Sequence, residues 1–210
     1  AEKWFGPIPA RNVPIRNLPK EVQQTAIRRK TVERKVPVDA LYMAFHMCDR
    51  HHADYPVYDI ITDILSNGRS SRFIQHLVQE NKIFTGIDAY ITGSIDEGLL
   101  HIAGKPAEGI SLEEAEKAIW AELDELKRVS VDELELEKVK NRYESEQIFN
   151  NINYLNVATN LAYFELLGKA EDINDEVRKY RSVTASQLQK VAQKTFIPEN
   201  CSILYYKAIK

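Results

Sequence analysis

Two apolar strand patterns lie almost back to back in this chain, and the short link between them decides the class of fold. Residues 83–92 and 99–105 both read as strands, joined through Gly93 to Gly98. That link is too short for the helical crossover that parallel neighbours need, so the pair must run antiparallel. Upstream, residues 31–36 read as one strand and residues 38–48 as a stronger one. In the latter, Leu41, Met43, Phe45 and Met47 alternate with Tyr42, Ala44 and His46. A period of two turns one side of such a strand toward a core. A closing strand is expected at residues 202–206.

Helical spacing fills the intervals. Asp54 is expected to cap a helix reaching about residue 65, with Pro56 in its first turn. Ile60, Ile61, Ile64 and Leu65 form its apolar face, and Asn67-Gly68 stops it. Ser70 or Ser71 then opens a second helix carrying Phe73, Ile74 and Leu77. After Pro106 and Gly109 the pattern turns helical again. Ser111 to Glu114 and Ser130 to Glu133 both read as capping boxes. Leu112, Ala115, Ile119, Leu123 and Leu126 keep one helical face, a long helical region is expected over residues 131–167, and Thr184 to Gln187 opens a last helix. The order is two strands, two helices, two strands, several helices and one strand. This implies an α+β fold, an antiparallel sheet with helices packed on one face.

Residues 1–19 hold four prolines and no periodicity, and read as an extended arm. We expect residues 1–29 to be a linker or the tail of a preceding domain, and residues 30–210 to be one domain. A net charge of −3 and a pI near 6.0 argue against a nucleic-acid binder, which would carry a basic stripe. The run Arg28-Arg29-Lys30 reads as a solvated strand entrance. No apolar run approaches the roughly 18–20 residues that span a bilayer, and no signal peptide is visible. Cys48 and Cys201 fall at strand ends and are expected as buried free thiols.

Few residues suggest chemistry. His46, Cys48, His51 and His52 carry metal-ligand residue types, weighed here between a small zinc hydrolase and a strand end with polar loop histidines. Ser70 or Ser71 with His76 and Asp63 would make a hydrolase triad, but no glycine-flanked nucleophile elbow is present, and both serines read as helix caps. Gly104 and Gly109 lack the context of a phosphate loop. Residues 113–146 read as acidic, solvated helix faces. The asparagine-rich stretch from Asn150 to Asn156 competes with helical backbone bonds, which leaves a kink or a chamber-lining surface open there beside an ordinary helix.

Three stretches together carry a family resemblance. The turn N-G-R-S-S-R-F at residues 67–73, between an apolar helix and a second helix, resembles the Gly-Gly-x-Ser-Ser-Arg-Leu turn of pitrilysin/insulinase-type zinc peptidases. Residues 3–9, K-W-F-G-P-I-P, resemble the end of the preceding domain in that family, and residues 182–204 resemble its C-terminal run. The resemblance covers nearly the whole chain and points to the family's C-terminal domain. Active domains of the family carry His-x-x-Glu-His on the helix after the opening strands, two imidazoles one turn apart with a Glu to activate water. That helix here offers Asp59 and Asp63 and no histidine. Glu133, Glu135 and Glu137 lie where a distant Glu would complete the zinc site.

The family's substrate-holding Arg and Tyr, seven residues apart, fall on Val78 and Thr85, while nearby Arg72 and Tyr90 have the wrong spacing. The resemblance therefore implies an insulinase-like domain with no catalytic, cofactor-binding or metal-binding residue of its own. It would help enclose a peptide in a clam-shell chamber whose zinc sits in a homologous partner domain, in the same polypeptide or another subunit. Asn150 to Asn156 could line such a chamber. The alternative is a structural or assembly subunit built on the same fold. If the source is bacterial, a periplasmic or cytoplasmic setting is expected.

Overall fold

The alternating residues around Phe45 become the centre of a five-stranded sheet. The structure is a computed structural model and describes residues 1–12, 19 and 21–209. Its strands are β1 (Arg28–Arg34), β2 (Ala40–His46), β3 (Phe84–Ile91), β4 (Leu99–Pro106) and β5 (Cys201–Ala208), in spatial order β1-β5-β2-β4-β3. Pairing is antiparallel throughout the β5-β2-β4-β3 part, but β1 runs parallel to β5. The cause lies in the topology. The five-residue link from β1 to β2 sets those two strands in opposite directions, and β5 returns from the helical layer to slot between them.

The helices are α1 (Glu2–Phe5), α2 (Tyr55–Ser66), a π-helix (Phe73–Glu80), α3 (Leu112–Arg128), α4 (Glu133–Asn150), α5 (Tyr154–Leu167), α6 (Glu176–Arg181) and α7 (Ala185–Thr195). Short 3₁₀ turns occupy Ala170–Asp175 and Pro198–Asn200. Leu41, Met43 and Phe45 of β2 are buried beneath the helical layer. The Phe45 ring meets Phe196 and Trp120 edge-on, at 5.1 and 5.7 Å between centroids. Burying such a side chain contributes roughly 1.5–3 kcal/mol. Gly104 on β4 lets the sheet close, because a Cβ there would lie 2.5 Å from the Phe84 ring. On the opposite face of the sheet Tyr42 and Tyr90 are exposed, and Tyr90 stacks on His101 at 5.2 Å.

Several local expectations change. Asp54 precedes α2 without capping it; its carboxylate sits 3.7 Å from the imidazole of His52 instead. Gly68 ends that segment at φ 98°, as Asn67-Gly68 implied. The second helix starts at Phe73 and is wound wider than an α-helix, with Asn81 N–H donating to the carbonyl of His76. Neither serine caps it: Ser71 Oγ donates to the Gly68 carbonyl, and Ser70 Oγ accepts from Lys138. Ser111 caps α3, and Thr184 with Gln187 forms a complete capping box on α7. On α4 the cap is Asp132 and not Ser130, because the helix begins two residues later than the sequence pattern suggests. The long helical region breaks at residues 151–153 into α4 and α5, so the kink left open at the asparagines is a full turn. The arm at residues 1–19 opens with the helical turn α1 and is not wholly extended; its residues 13–18 lie outside those described.

Candidate functional site

The family that the sequence resembles builds its zinc site on the helix after the opening strands, and here that position falls on α2. It is buried along most of its length, so any polar group on it needs a partner. Asp59, in the middle of α2, accepts a 2.6 Å hydrogen bond on Oδ2 from the hydroxyl of Tyr180 on α6. The Tyr180 ring stacks almost parallel on Tyr143 of α4, with centroids 3.5 Å apart. Three helices thus meet over one carboxylate. Burial pushes the pKa of Asp59 up, partly offset by the Tyr180 hydroxyl and the charge of Arg50. Burial, with Asp59 next to it, also pushes Tyr180 far above a normal phenol, so it stays a proton donor.

A second layer of charge flanks this pair. Arg50, in the loop before α2, lies 3.1 Å from Glu176, which also accepts from Lys179 at 2.7 Å. The Arg50 guanidinium sits 4.3 Å above the Tyr55 ring. Burial disfavours the charge on Arg50, but Glu176, Tyr180 and Tyr55 together outweigh it and raise its pKa. These groups border a cavity of about 380 Å³ between the start of α2, the end of α5 and α6.

This site does not fit zinc. Asp59 is committed to Tyr180, and Asp63 accepts from the Asn67 amide at 2.6 Å. Among the described residues no group of three or more His, Cys, Asp or Glu side chains could hold a metal ion. Two of the three glutamates near the expected third-ligand position are engaged elsewhere. Glu135 takes a two-pronged bond from Arg72 at 3.1 and 2.8 Å, and Glu137 pairs with Arg181.

The other sequence candidates disperse. His46, Cys48 and His52 border a common depression, but His52 Nδ1 accepts from the Asp54 amide and His51 is turned to solvent beside Asp49. Cys48 is half-buried against the core, and burial pushes its pKa to about 11; the buried Cys201 reaches about 12 for the same cause. Both are free thiols, as expected. His76 pairs with Glu122 at 2.9 Å, far from Ser70, Ser71 and Asp63 in its bonding, so no triad forms. Val78 packs against the core and Thr85 Oγ1 donates to the Lys105 carbonyl, so neither stands in for the family's Arg and Tyr.

Two features escaped the sequence reading. Tyr143, Tyr180, Arg50 and Glu176 carry no recognisable spacing, since only the fold brings α4 and α6 to α2. The acidic helices are also less solvated than expected: Glu116 and Glu122 are buried. Glu116 receives Arg29 from β1, Trp120 from its own helix and Tyr205 from β5. Burial opposes its charge, but the hydrogen bonds from Arg29 and Tyr205 outweigh that and pull its pKa down.

Comparison with known proteins decides the family. The description "Peptidase M16 inactive domain" matches residues 1–143. This chain belongs to that family. It is 24% identical over 190 residues to the zinc protease PqqE of Helicobacter pylori, covering 90% of this chain and 43% of that protein. The crystal structure of a protease from Helicobacter pylori superposes with a TM-score of 0.88 at 21% identity, over 98% of this chain and 51% of that one. A peptidase M16 inactive domain from Pseudomonas fluorescens superposes with a TM-score of 0.72 at 17% identity, over 92% of this chain and 47% of that one. The chain thus spans about half the length of these three relatives. The expected pitrilysin/insulinase-type assignment and the absence of catalysis in this domain agree with the family's description as inactive.

Proposed function

We infer that this chain is the non-catalytic half of a zinc metallopeptidase, forming one wall of a clam-shell chamber around a peptide substrate. The observation that carries this reading is the state of α2. Where an active domain needs two imidazoles and a glutamate, this helix presents Asp59, closed by Tyr180 and backed by Tyr143. A helix tied down in that way serves as scaffold, and the chemistry falls to a zinc-bearing homologous half, in the same polypeptide or another subunit. The length of the relatives, about twice that of this chain, supports such a second half. On this reading residues 1–29 connect the two halves, and the chain itself contributes neither a metal ligand nor a catalytic residue.

The test uses zinc content and cleavage together. The chain alone, after chelator treatment and dialysis, is expected to hold less than stoichiometric zinc and to cleave no peptide in a fluorogenic library. Supplying the zinc-bearing half should produce chelator-sensitive cleavage above what that half achieves alone. One tightly held zinc per chain with chelator-sensitive cleavage would overturn the reading. A half that cleaves equally well without this chain would favour the assembly role.

A further inference from the structure

The chain is 28% charged, yet the 18 residues from Gln147 to Phe164 contain no Asp, Glu, Lys, Arg or His. Such a run ordinarily marks a buried segment. Here it forms the end of α4, the turn at residues 151–153 and most of α5, and it lies on the surface. Ile148, Phe149, Ile152, Tyr154, Leu155 and Leu166 are between 61% and 90% exposed. Phe164 is the buried side chain of α5, and its main neighbour in the fold is the 3₁₀ turn that follows it. Apolar residues occur all round α5 with no single wet face, a pattern that belongs to helices covered on more than one side.

The polar residues of the segment fit the same picture. They are asparagines, a threonine and a glutamine, which supply hydrogen bonds without a charge to desolvate. Asn153 already spends its side chain on capping Leu155. Depletion of charge with enrichment of aromatic and apolar side chains marks the core of a protein–protein interface, and an exposed apolar patch of this extent marks a contact surface.

We propose that the α4–α5 junction is the seat of the homologous zinc-bearing half, docked through an uncharged, apolar surface. This rests on the functional reading given above. Two observations choose that occupant over a second copy of this chain. The relatives carry about as much chain again as is present here. And a 14-residue helix is about 21 Å long and about 10 Å across, so its face covers a few hundred Å², below the roughly 800 Å² per partner of a free-standing complex. A surface of that size suffices where a tether or further contacts supply a high effective concentration. A substrate peptide, bound only in passing, would leave this surface wet for most of its life.

The experiment places a photo-crosslinking residue at position 155 in the longer polypeptide that carries this chain, or in the complex with its partner subunit, and maps the product by mass spectrometry. Position 134 is the control, because Leu134 is equally apolar and exposed but sits at the far end of α4. Crosslinks from 155 and not 134 to the homologous half are the expected result. In parallel, the double variant Phe149→Glu, Leu155→Glu should lower cleavage at least tenfold with zinc retained, and Leu134→Glu should leave it unchanged. Crosslinks to an isotope-labelled second copy, to peptide substrate or to nothing would each overturn the docking proposal. If cleavage still requires both halves while position 155 stays uncrosslinked, the docking proposal alone has failed. If no zinc-bearing half supports cleavage at all, the functional reading has failed with it.

Discussion

Two carboxylates in this domain, the buried Glu116 and the half-buried Asp59, have opposite fates. Glu116, on α3, is surrounded by donors: the Arg29 guanidinium, the Trp120 indole N–H and the Tyr205 hydroxyl. Asp59, on α2, has one donor, Tyr180, and faces further carboxylates at Glu146 and Glu176 as well as the cation of Arg50. Burial disfavours charge at both. At Glu116 the hydrogen bonds prevail and the pKa falls; at Asp59 burial prevails and the pKa rises. Burial alone therefore does not say whether an acid in this fold is an anchor or a load. The count of donors does.

The largest expected effect comes from removing the charge at Glu116. In Glu116→Gln the amide presents N–H groups to donors that need an acceptor, and hydrogen bonds to a charged group contribute about 1.5–3 kcal/mol. We expect a loss of about 2–3 kcal/mol at pH 7, read as a lower urea midpoint with an unchanged slope. The folded-state pKa lies below the ordinary 4.5, so the stabilisation is present above that value and is lost as pH falls through the folded pKa. The gap between wild type and variant should close in that acid window. Arg29 is half exposed, so added salt should narrow it as well. A variant as stable as wild type at pH 7 would mean that Glu116 is no anchor.

Tyr180→Phe is expected to cost less, about 1–2 kcal/mol at neutral pH, because it takes from the half-buried Asp59 carboxylate its one hydrogen-bond donor. Tyr180 favours the ionised form of Asp59, so the cost should shrink on acidification. Equal cost at pH 7 and in acid, by urea unfolding at both, would show that the hydroxyl matters to packing against Tyr143 and not to the charge.

Glu116 and Asp59 also differ in how far the sequence announced them. Alternation at Leu41, Met43 and Phe45 was enough to place β2, since a half-buried strand must repeat every two residues, and the short link at residues 93–98 fixed the β3–β4 pairing. The parallel edge was not legible: that β5 enters between β1 and β2 depends on packing across some 170 residues, which no local period records. Asp59 could be singled out only because it stands on the helix where the family carries its metal ligands. Its partner Tyr180 is 121 residues away, and Glu116 looked like one more acid on a charged helix. The uncharged run ending at Phe164 was visible as letters, but composition alone cannot tell a core helix from an interface helix. Only the exposure of Tyr154 and Leu155 separates the two.

The smallest effect, and the sharpest for the comparison, is that of Asp59→Asn. Asparagine keeps an oxygen for the Tyr180 hydroxyl and removes a charge that burial disfavours. We expect a change within about 1 kcal/mol at pH 7, directed toward greater stability. The sign follows from the raised pKa. The folded protein holds the Asp59 proton more tightly than the unfolded chain does, with its ordinary value of 3.8. The stability tied to that proton is complete below 3.8 and is lost as pH rises through the folded pKa. Wild type should therefore lose ground to Asp59→Asn as pH rises from 3.8 through the folded pKa, whereas Glu116→Gln should lose ground to wild type as pH rises toward 4.5. Opposite slopes of two acid-to-amide variants, measured by urea unfolding across the same pH series, would establish one carboxylate as a load and the other as an anchor. Parallel slopes would mean that Arg50 holds Asp59 ionised as firmly as Arg29 holds Glu116, and the closed helix α2 would then rest on charge and not on its single tyrosine donor.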